Sequence, residues 1–172
     1  GILETEMRVG DPLEQLFGNL NRTLHSKLDR RTFICFTMGE YDLASRTLRL
    51  SNSGCPYPYH YQTATQQVVE LEMDAYPLGI RPETTYQAIE VPLAPGDRVV
   101  FCSDGIIEAA NEQETMFGFE QTAEVIRQGC VDGLAAEALL EHIFSQVKAF
   151  TSTVEQGDDE TVVVLQVQSD ES

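Results

Sequence analysis

The apolar residues Leu13, Leu16, Phe17, Leu20, Leu24 and Leu28 return at spacings of three and four, which lays one apolar stripe along a helix. Asp11 followed by Pro12 predicts its start, as an N-cap and a first-turn proline. The period then shortens. Residues 32–40 are rich in β-branched and aromatic side chains, residues 42–46 are polar, and residues 47–51 alternate cleanly, which predicts a hairpin. A loop over 52–58, with Gly54, Pro56 and Pro58, precedes two shorter strand candidates at 59–62 and 67–73. Pro77, Leu78, Gly79 and Ile80 interrupt the pattern again. Residues 86–93 alternate as a strand, Ala94, Pro95, Gly96 and Asp97 read as a turn, and the nearly continuous apolar run of residues 98–102 predicts a buried central strand. Two helices are expected at 119–128 and 134–150, the second with Leu139, Ile143 and Val147 four apart. After a polar stretch, residues 161–167 (TVVVLQV) form a last strand. This order predicts an α+β domain with mainly antiparallel sheet. No repeat or composition shift divides it, so residues 1–172 read as a single domain, with 1–10 a flexible lead-in.

Charge narrows the partners. The 172 residues carry 11 Lys+Arg against 28 Asp+Glu, a formal −17, and such an excess of carboxylates repels phosphate backbones and anionic lipid. Nucleic acid is therefore excluded as a default partner. The same field favours divalent cations, although much of it serves solubility. No apolar run approaches the roughly 18 to 20 residues that span a bilayer, and the N-terminus lacks a basic segment followed by an apolar one. A cytoplasmic protein without membrane contact is expected. The four cysteines, Cys35, Cys55, Cys102 and Cys130, are widely spaced and form no zinc-like pattern; reduced thiols fit that setting.

Candidate chemistry gathers at the ends of two apolar strands. Residues 99–102 run into Ser103, Asp104 and Gly105, while Gly157, Asp158 and Asp159 open into the strand at Thr161. If these strands are neighbours, Asp104 and Asp158 converge on one hard cation, which prefers oxygen ligands. The competing reading makes both ordinary turn residues, since Asp-Gly and Gly-Asp are common turn dipeptides. Other constellations are weaker. None of His25, His60 and His142 stands in a His-Glu-x-x-His arrangement, and no nucleophile elbow, phosphate-cradling glycine loop or dinucleotide fingerprint occurs. A calcium loop starting at Asp104 would need Glu where Thr115 stands and Gly where Ala109 stands.

At these residues the chain resembles a known family. The run from Leu93 through Pro95-Gly96-Asp97 to Ser103-Asp104-Gly105-Ile106-Ile107-Glu108-Ala109 is similar to the "L-x-P-G-D … [ST]-D-G-[VI]-x-E-A" signature of bacterial PP2C-type phosphatases of the SpoIIE/RsbU group. Residues 52–58 resemble that group's "N-[AS]-G-H-x-P" loop, with Cys55 in the His position. Residues 77–80 resemble its "P-L-G" segment, 117–120 its "F-G-x-[ED]" helix entry and 158–161 its "D-D-x-T" strand entry. The resemblance implies a sandwich of two antiparallel sheets flanked by helices. It also implies a Ser/Thr protein phosphatase in which two Mn²⁺ or Mg²⁺ ions activate water for attack on a phosphoserine or phosphothreonine. Carried over, Asp104 and Asp158 match metal ligands. Asp159, Gly105 and Glu108 match positions that could support them. The implied substrate is a phosphorylated regulatory protein such as an anti-sigma-factor antagonist, with a sensor or receiver domain upstream.

One element of the family pattern is missing. No "G-D-[VAS]-x-G-H-G" motif occurs, since Gly10-Asp11 runs into Pro12, Leu13 and Glu14. The expectation is an N-terminally truncated domain, matching the family's later part, with an incomplete metal centre and little or no activity by itself. Unpaired sheet edges are then expected to favour self-association. Two further readings stay open: a non-catalytic interaction module, and a single-metal hydrolase using Asp104 and Asp158.

Overall fold

The computed structural model describes residues 1, 3, 4, 7, 10–29 and 31–168. Residues 2, 5, 6, 8 and 9 of the expected lead-in, and the chain end at 169–172, lie outside them. The elements run α1 (Leu13–Lys27), β1 (Phe36–Asp42), β2 (Thr47–Ser53), β3 (Tyr59–Gln62), β4 (Gln67–Glu70), β5 (Ile89–Pro92), β6 (Arg98–Cys102), α2 (Asp104–Ile107), α3 (Gly118–Val131), α4 (Ala136–Thr151) and β7 (Val162–Gln166). They make two antiparallel sheets flanked by helices, an α+β architecture. Two compact units hold them, one of Gly1–Cys55 with Met73–Leu93 and the other of Pro56–Glu72 with Ala94–Ser172.

In the first unit the sheet order is β1-β2-β5. The α1 stripe buries Leu13, Leu16, Phe17 and Leu20, with Phe17 between the rings of Phe36 and Tyr86 at 5.2 and 5.6 Å. Asp11 does not cap this helix. Pro12 occupies the cap position with no side-chain hydrogen bond, and the Asp11 carboxylate instead accepts from Asn19 Nδ2 at 3.3 Å. The first strand starts at Phe36 rather than at residue 32, because Ile34 bridges Leu78 and so ties the preceding segment to the Pro-Leu-Gly loop. The expected strand at 86–93 shortens to Ile89–Pro92: Tyr86 turns into the α1 core and donates its hydroxyl to Tyr76 O at 3.1 Å.

That loop is held by polar anchors on α1. Asn21 donates to Arg81 O at 2.7 Å and accepts from Gly79 N at 2.8 Å, and His25 Nδ1 lies 2.8 Å from Gly79 O. His25 thus serves structure. In the 52–58 loop, Asn52 accepts from Thr37 Oγ1 at 2.6 Å and donates to Cys55 O at 2.9 Å. Gly54 follows at φ +80°, and a Cβ there would meet Pro77 Cγ at 2.5 Å.

The second unit carries the sheet β4-β3-β6-β7. Strand β6 is internal, as its apolar run predicts, with Val99 and Val100 fully buried. The α3 and α4 helices supply Ile126, Leu139, Ile143 and Val147 to a core shared with Tyr59, Tyr61, Cys102 and Val162. Helix α4 begins at Ala136 instead of residue 134. The Leu134 carbonyl is taken by the buried Arg98 guanidinium at 2.9 Å, which fixes that residue ahead of the first turn. Strand β4 stops at Glu70: Leu71 N still donates to Pro58 O at 2.8 Å in the hairpin register, but Pro58 has no N–H to return the bond. Burial pushes the Cys102 thiol up to about 12 and the Cys130 thiol up to about 11. Thiols held protonated in this way are poor nucleophiles.

Candidate metal centre

Strands β6 and β7 pair antiparallel, with Arg98 opposite Gln166 and Cys102 opposite Val162. This register brings the end of β6 and the start of β7 to one end of the sheet. The pairing continues past the strands, with Ser103 N donating to Thr161 O at 2.9 Å and Thr161 N to Ser103 Oγ at 2.9 Å. The Ser103 hydroxyl itself donates to Asp159 O at 2.9 Å, so one side chain ties both acidic segments together. The Ser103-Asp104-Gly105 and Asp158-Asp159 segments therefore share one corner of the second unit.

At that corner the chain turns into a single helical turn, α2, which the strand-like pattern does not announce. Gly105 sits in its first turn against the Asp158-Asp159 backbone. A Cβ on Gly105 would be driven onto the Asp159 carbonyl, 2.9 Å from its carbon and 3.3 Å from Asp158 O. Only glycine admits this approach of two backbone segments.

Asp104 is exposed, and its Oδ1 accepts from Gly105 N at 3.1 Å. Asp158 is also exposed: its Oδ1 accepts from Asp159 N at 2.7 Å, and its carbonyl accepts from Gln156 Nε2 at 2.7 Å. Both carboxylates keep further lone pairs for a ligand. Asp159 enters the corner through its backbone, whereas Glu108 is an exposed C-cap of α2 whose N–H closes the turn on Asp104 O at 2.7 Å. A cavity of about 340 Å³ adjoins the corner, lined among others by Gly105, Phe144, Lys148, Glu155 and Gly157. Lys148 has no motif to mark it in the sequence.

Carboxylate and carbonyl oxygens are the donors that Mg²⁺ and Mn²⁺ prefer, so the residues fit such ions in kind. In number they fall short of a binuclear centre. Among the described residues no group of three or more His, Cys, Asp or Glu is placed to hold a metal.

The opposite end of β6 holds a different aspartate. Asp97 is 4% exposed and accepts from His60 Nε2 at 3.0 Å, Thr63 N at 2.9 Å and Ala94 N at 3.0 Å. Burial alone would raise its pKa, but these donors outweigh burial and hold the carboxyl below its ordinary value. Strand alternation and turn residues gave no sign of the His60–Asp97 pair, which crosses from β3 to the turn before β6.

The architecture is that of the PP2C phosphatase fold. The chain aligns with the SiaA-PP2C domain of Pseudomonas aeruginosa at a TM-score of 0.82 and 21% identity, covering 97% of this chain and 65% of that one. It aligns with the Mn-presoaked phosphatase domain of SpoIIE from Bacillus subtilis at 0.66 and 18%, covering 99% and 74%. By sequence, phosphoserine phosphatase RsbU of Bacillus subtilis (strain 168) is 26% identical over 98 residues, which are 57% of this chain and 29% of RsbU. The family model for stage II sporulation protein E (SpoIIE) matches residues 1–168, and the chain belongs to the SpoIIE family. It spans less than a third of RsbU and about two thirds of the SiaA domain.

Proposed function

We propose that this chain contributes Asp104 and Asp158 to the metal centre of a protein-serine/threonine phosphatase of the PP2C type. The observation that carries the reading is the β6–β7 register, which puts the two acidic segments at one sheet end with Gly105 packed against the Asp159 carbonyl. Asp104 and Asp158 would hold Mn²⁺ or Mg²⁺, and the bound metal supplies a Lewis acid and an activated water for hydrolysis of phosphoserine or phosphothreonine. The protein's own part is to fix the carboxylates. Ser103 ties the two segments, and Gly105 lets them close. A phosphorylated regulatory protein, such as an anti-sigma-factor antagonist, is the proposed substrate, and a sensor or receiver domain in the same protein the proposed control.

The test is Mn²⁺-dependent hydrolysis of a phosphoserine peptide by this chain beside its Asp104→Asn and Asp158→Asn variants. Turnover lost in both variants supports the reading, and turnover unchanged in either removes that residue from the centre. A second reading, a non-catalytic interaction module, is favoured by the absence of a three-ligand cluster among the described residues. A protein that carries the missing Gly-Asp motif ahead of these residues and still shows no turnover would select it.

A further inference from the structure

A phosphate monoester carries nearly two negative charges, and the unit that holds the Asp104–Asp158 corner is rich in Asp and Glu. Its basic side chains are three, Arg98, Arg127 and Lys148. Two of them are occupied within the fold. The buried Arg98 guanidinium donates to Gly96 O at 2.8 Å and to Leu134 O at 2.9 Å, and Arg127 forks onto the Glu124 carboxylate at 2.8 and 2.7 Å. Lys148 is exposed, and its ammonium has no hydrogen bond or ion pair among the described residues.

The fold places this ammonium beside the corner. Lys148 follows Phe144 by four positions on α4, so the two share a helix face, and both line the cavity of about 340 Å³. Gly105, Gly157 and Glu160 line it too, next in sequence to Asp104, Asp158 and Asp159. The backbone between them is pinned. Lys148 O accepts from Ser152 N at 3.0 Å and from Thr151 Oγ1 at 3.3 Å, Ser152 turns the chain out of α4 at φ +55°, and Gln156 Nε2 ties the turn to Asp158 O at 2.7 Å. Lys148 is the basic member of the cavity lining. Glu155 and Glu160 line the same cavity, yet neither is within ion-pair distance of it, and a phosphate with three acceptor oxygens competes better for an ammonium than a single carboxylate does.

Resting on the phosphatase reading of that corner, we propose that Lys148 is a phosphate-binding residue of this chain: its ammonium donates to a non-bridging oxygen of the substrate's phosphoserine or phosphothreonine, at the cavity beside Asp104 and Asp158. Lysine suits this task as a compact point charge whose three donors rotate freely.

The chain has two lysines, Lys27 and Lys148, so ¹³C-dimethylation of the ε-amines, which keeps their charge, gives two lysine signals by nuclear magnetic resonance, assigned with Lys27→Arg. With Mg²⁺ present, a phosphoserine peptide is expected to move the Lys148 signal saturably and to leave Lys27 in place, while the same peptide with serine or glutamate at that position moves neither. In the unmethylated chain, Lys148→Gln is expected to weaken phosphopeptide binding about tenfold, read from the peptide's ³¹P line, and Lys148→Arg to stay within about threefold of native. Circular dichroism checks that both exposed-site variants fold. An unmoved Lys148 signal overturns the proposal, as do equal shifts at both lysines, a glutamate peptide that moves Lys148 as far as the phosphopeptide does, and native affinity in folded Lys148→Gln. Neither readout needs turnover, and the metal reading is judged separately by Mn²⁺ binding in Asp104→Asn and Asp158→Asn, so either can fail alone.

Discussion

Strand β6 carries an aspartate at each end, and the two differ in how far their bonding capacity is used. Asp97 is buried with donors from a histidine and two backbone amides. Asp104 is exposed, bonded through Oδ1 to the amide next to it. The first carboxylate is consumed by the fold: it closes the 94–97 turn, anchors the β3–β4 hairpin at Thr63 and satisfies His60. The second stands beside another acidic segment with lone pairs to spare. Both belong to short motifs that resemble the same phosphatase signature, so a motif match alone does not separate a structural aspartate from a candidate ligand. Bonding saturation and burial do.

The contrast can be broken most forcefully at Asp97. Replacing it with alanine leaves the buried His60 and the backbone amides of Thr63 and Ala94 without their acceptor, and the expected loss is about 3 kcal/mol in urea denaturation. A loss under about 0.5 kcal/mol, the usual range for a surface site, would show that the buried pair holds nothing.

A second effect lies at the other end of the strand. Gly105→Ala forces a methyl group onto the Asp159 carbonyl, and about 2 kcal/mol of destabilisation is expected from such overpacking. Gly157→Ala is the matched control, since a Cβ there meets nothing within 4 Å. Equal melting temperatures for the two variants would contradict the close approach of the backbones.

The Asp97 carboxyl also predicts a pH response. Its pKa is lowered on folding, so its contribution to stability is present above the ordinary value of 3.8 and is lost as pH falls through the lowered one. Urea midpoints should therefore fall more steeply in acid for the native chain than for Asp97→Asn. Parallel profiles would be evidence against the hydrogen bonds that pull the carboxyl down. The smallest stability effect is expected for Asp104→Asn, within about 0.5 kcal/mol, because that side chain is exposed.

Much of this arrangement could be read in the residues themselves, and what could not is non-local. The apolar run of β6 and the four-residue spacing of Leu139, Ile143 and Val147 place a central strand and a packed helix correctly. The neighbourhood of β6 and β7 could be posed only as a condition, since some sixty residues separate them and pairing leaves no local mark. Boundaries shifted where a distant partner took a backbone group, as Leu78 does at Ile34 and Arg98 does at Leu134. The N-cap expected at Asp11 failed because the carboxylate bonds Asn19 instead. His60 carried no sign of its role, as its partner lies 37 positions away.

The central claim, that Asp104 and Asp158 form an open acidic corner able to take a divalent cation, is met most directly by Mn²⁺ titration. Free Mn²⁺ would be followed by electron paramagnetic resonance for the native chain and for Asp104→Asn, Asp158→Asn and Asp97→Asn, each checked for folding. Two carboxylates predict weak binding, with a dissociation constant of about 10⁻⁴ to 10⁻³ M. This binding should be lost in the first two variants and kept in folded Asp97→Asn. Undiminished binding in Asp104→Asn would contradict the account.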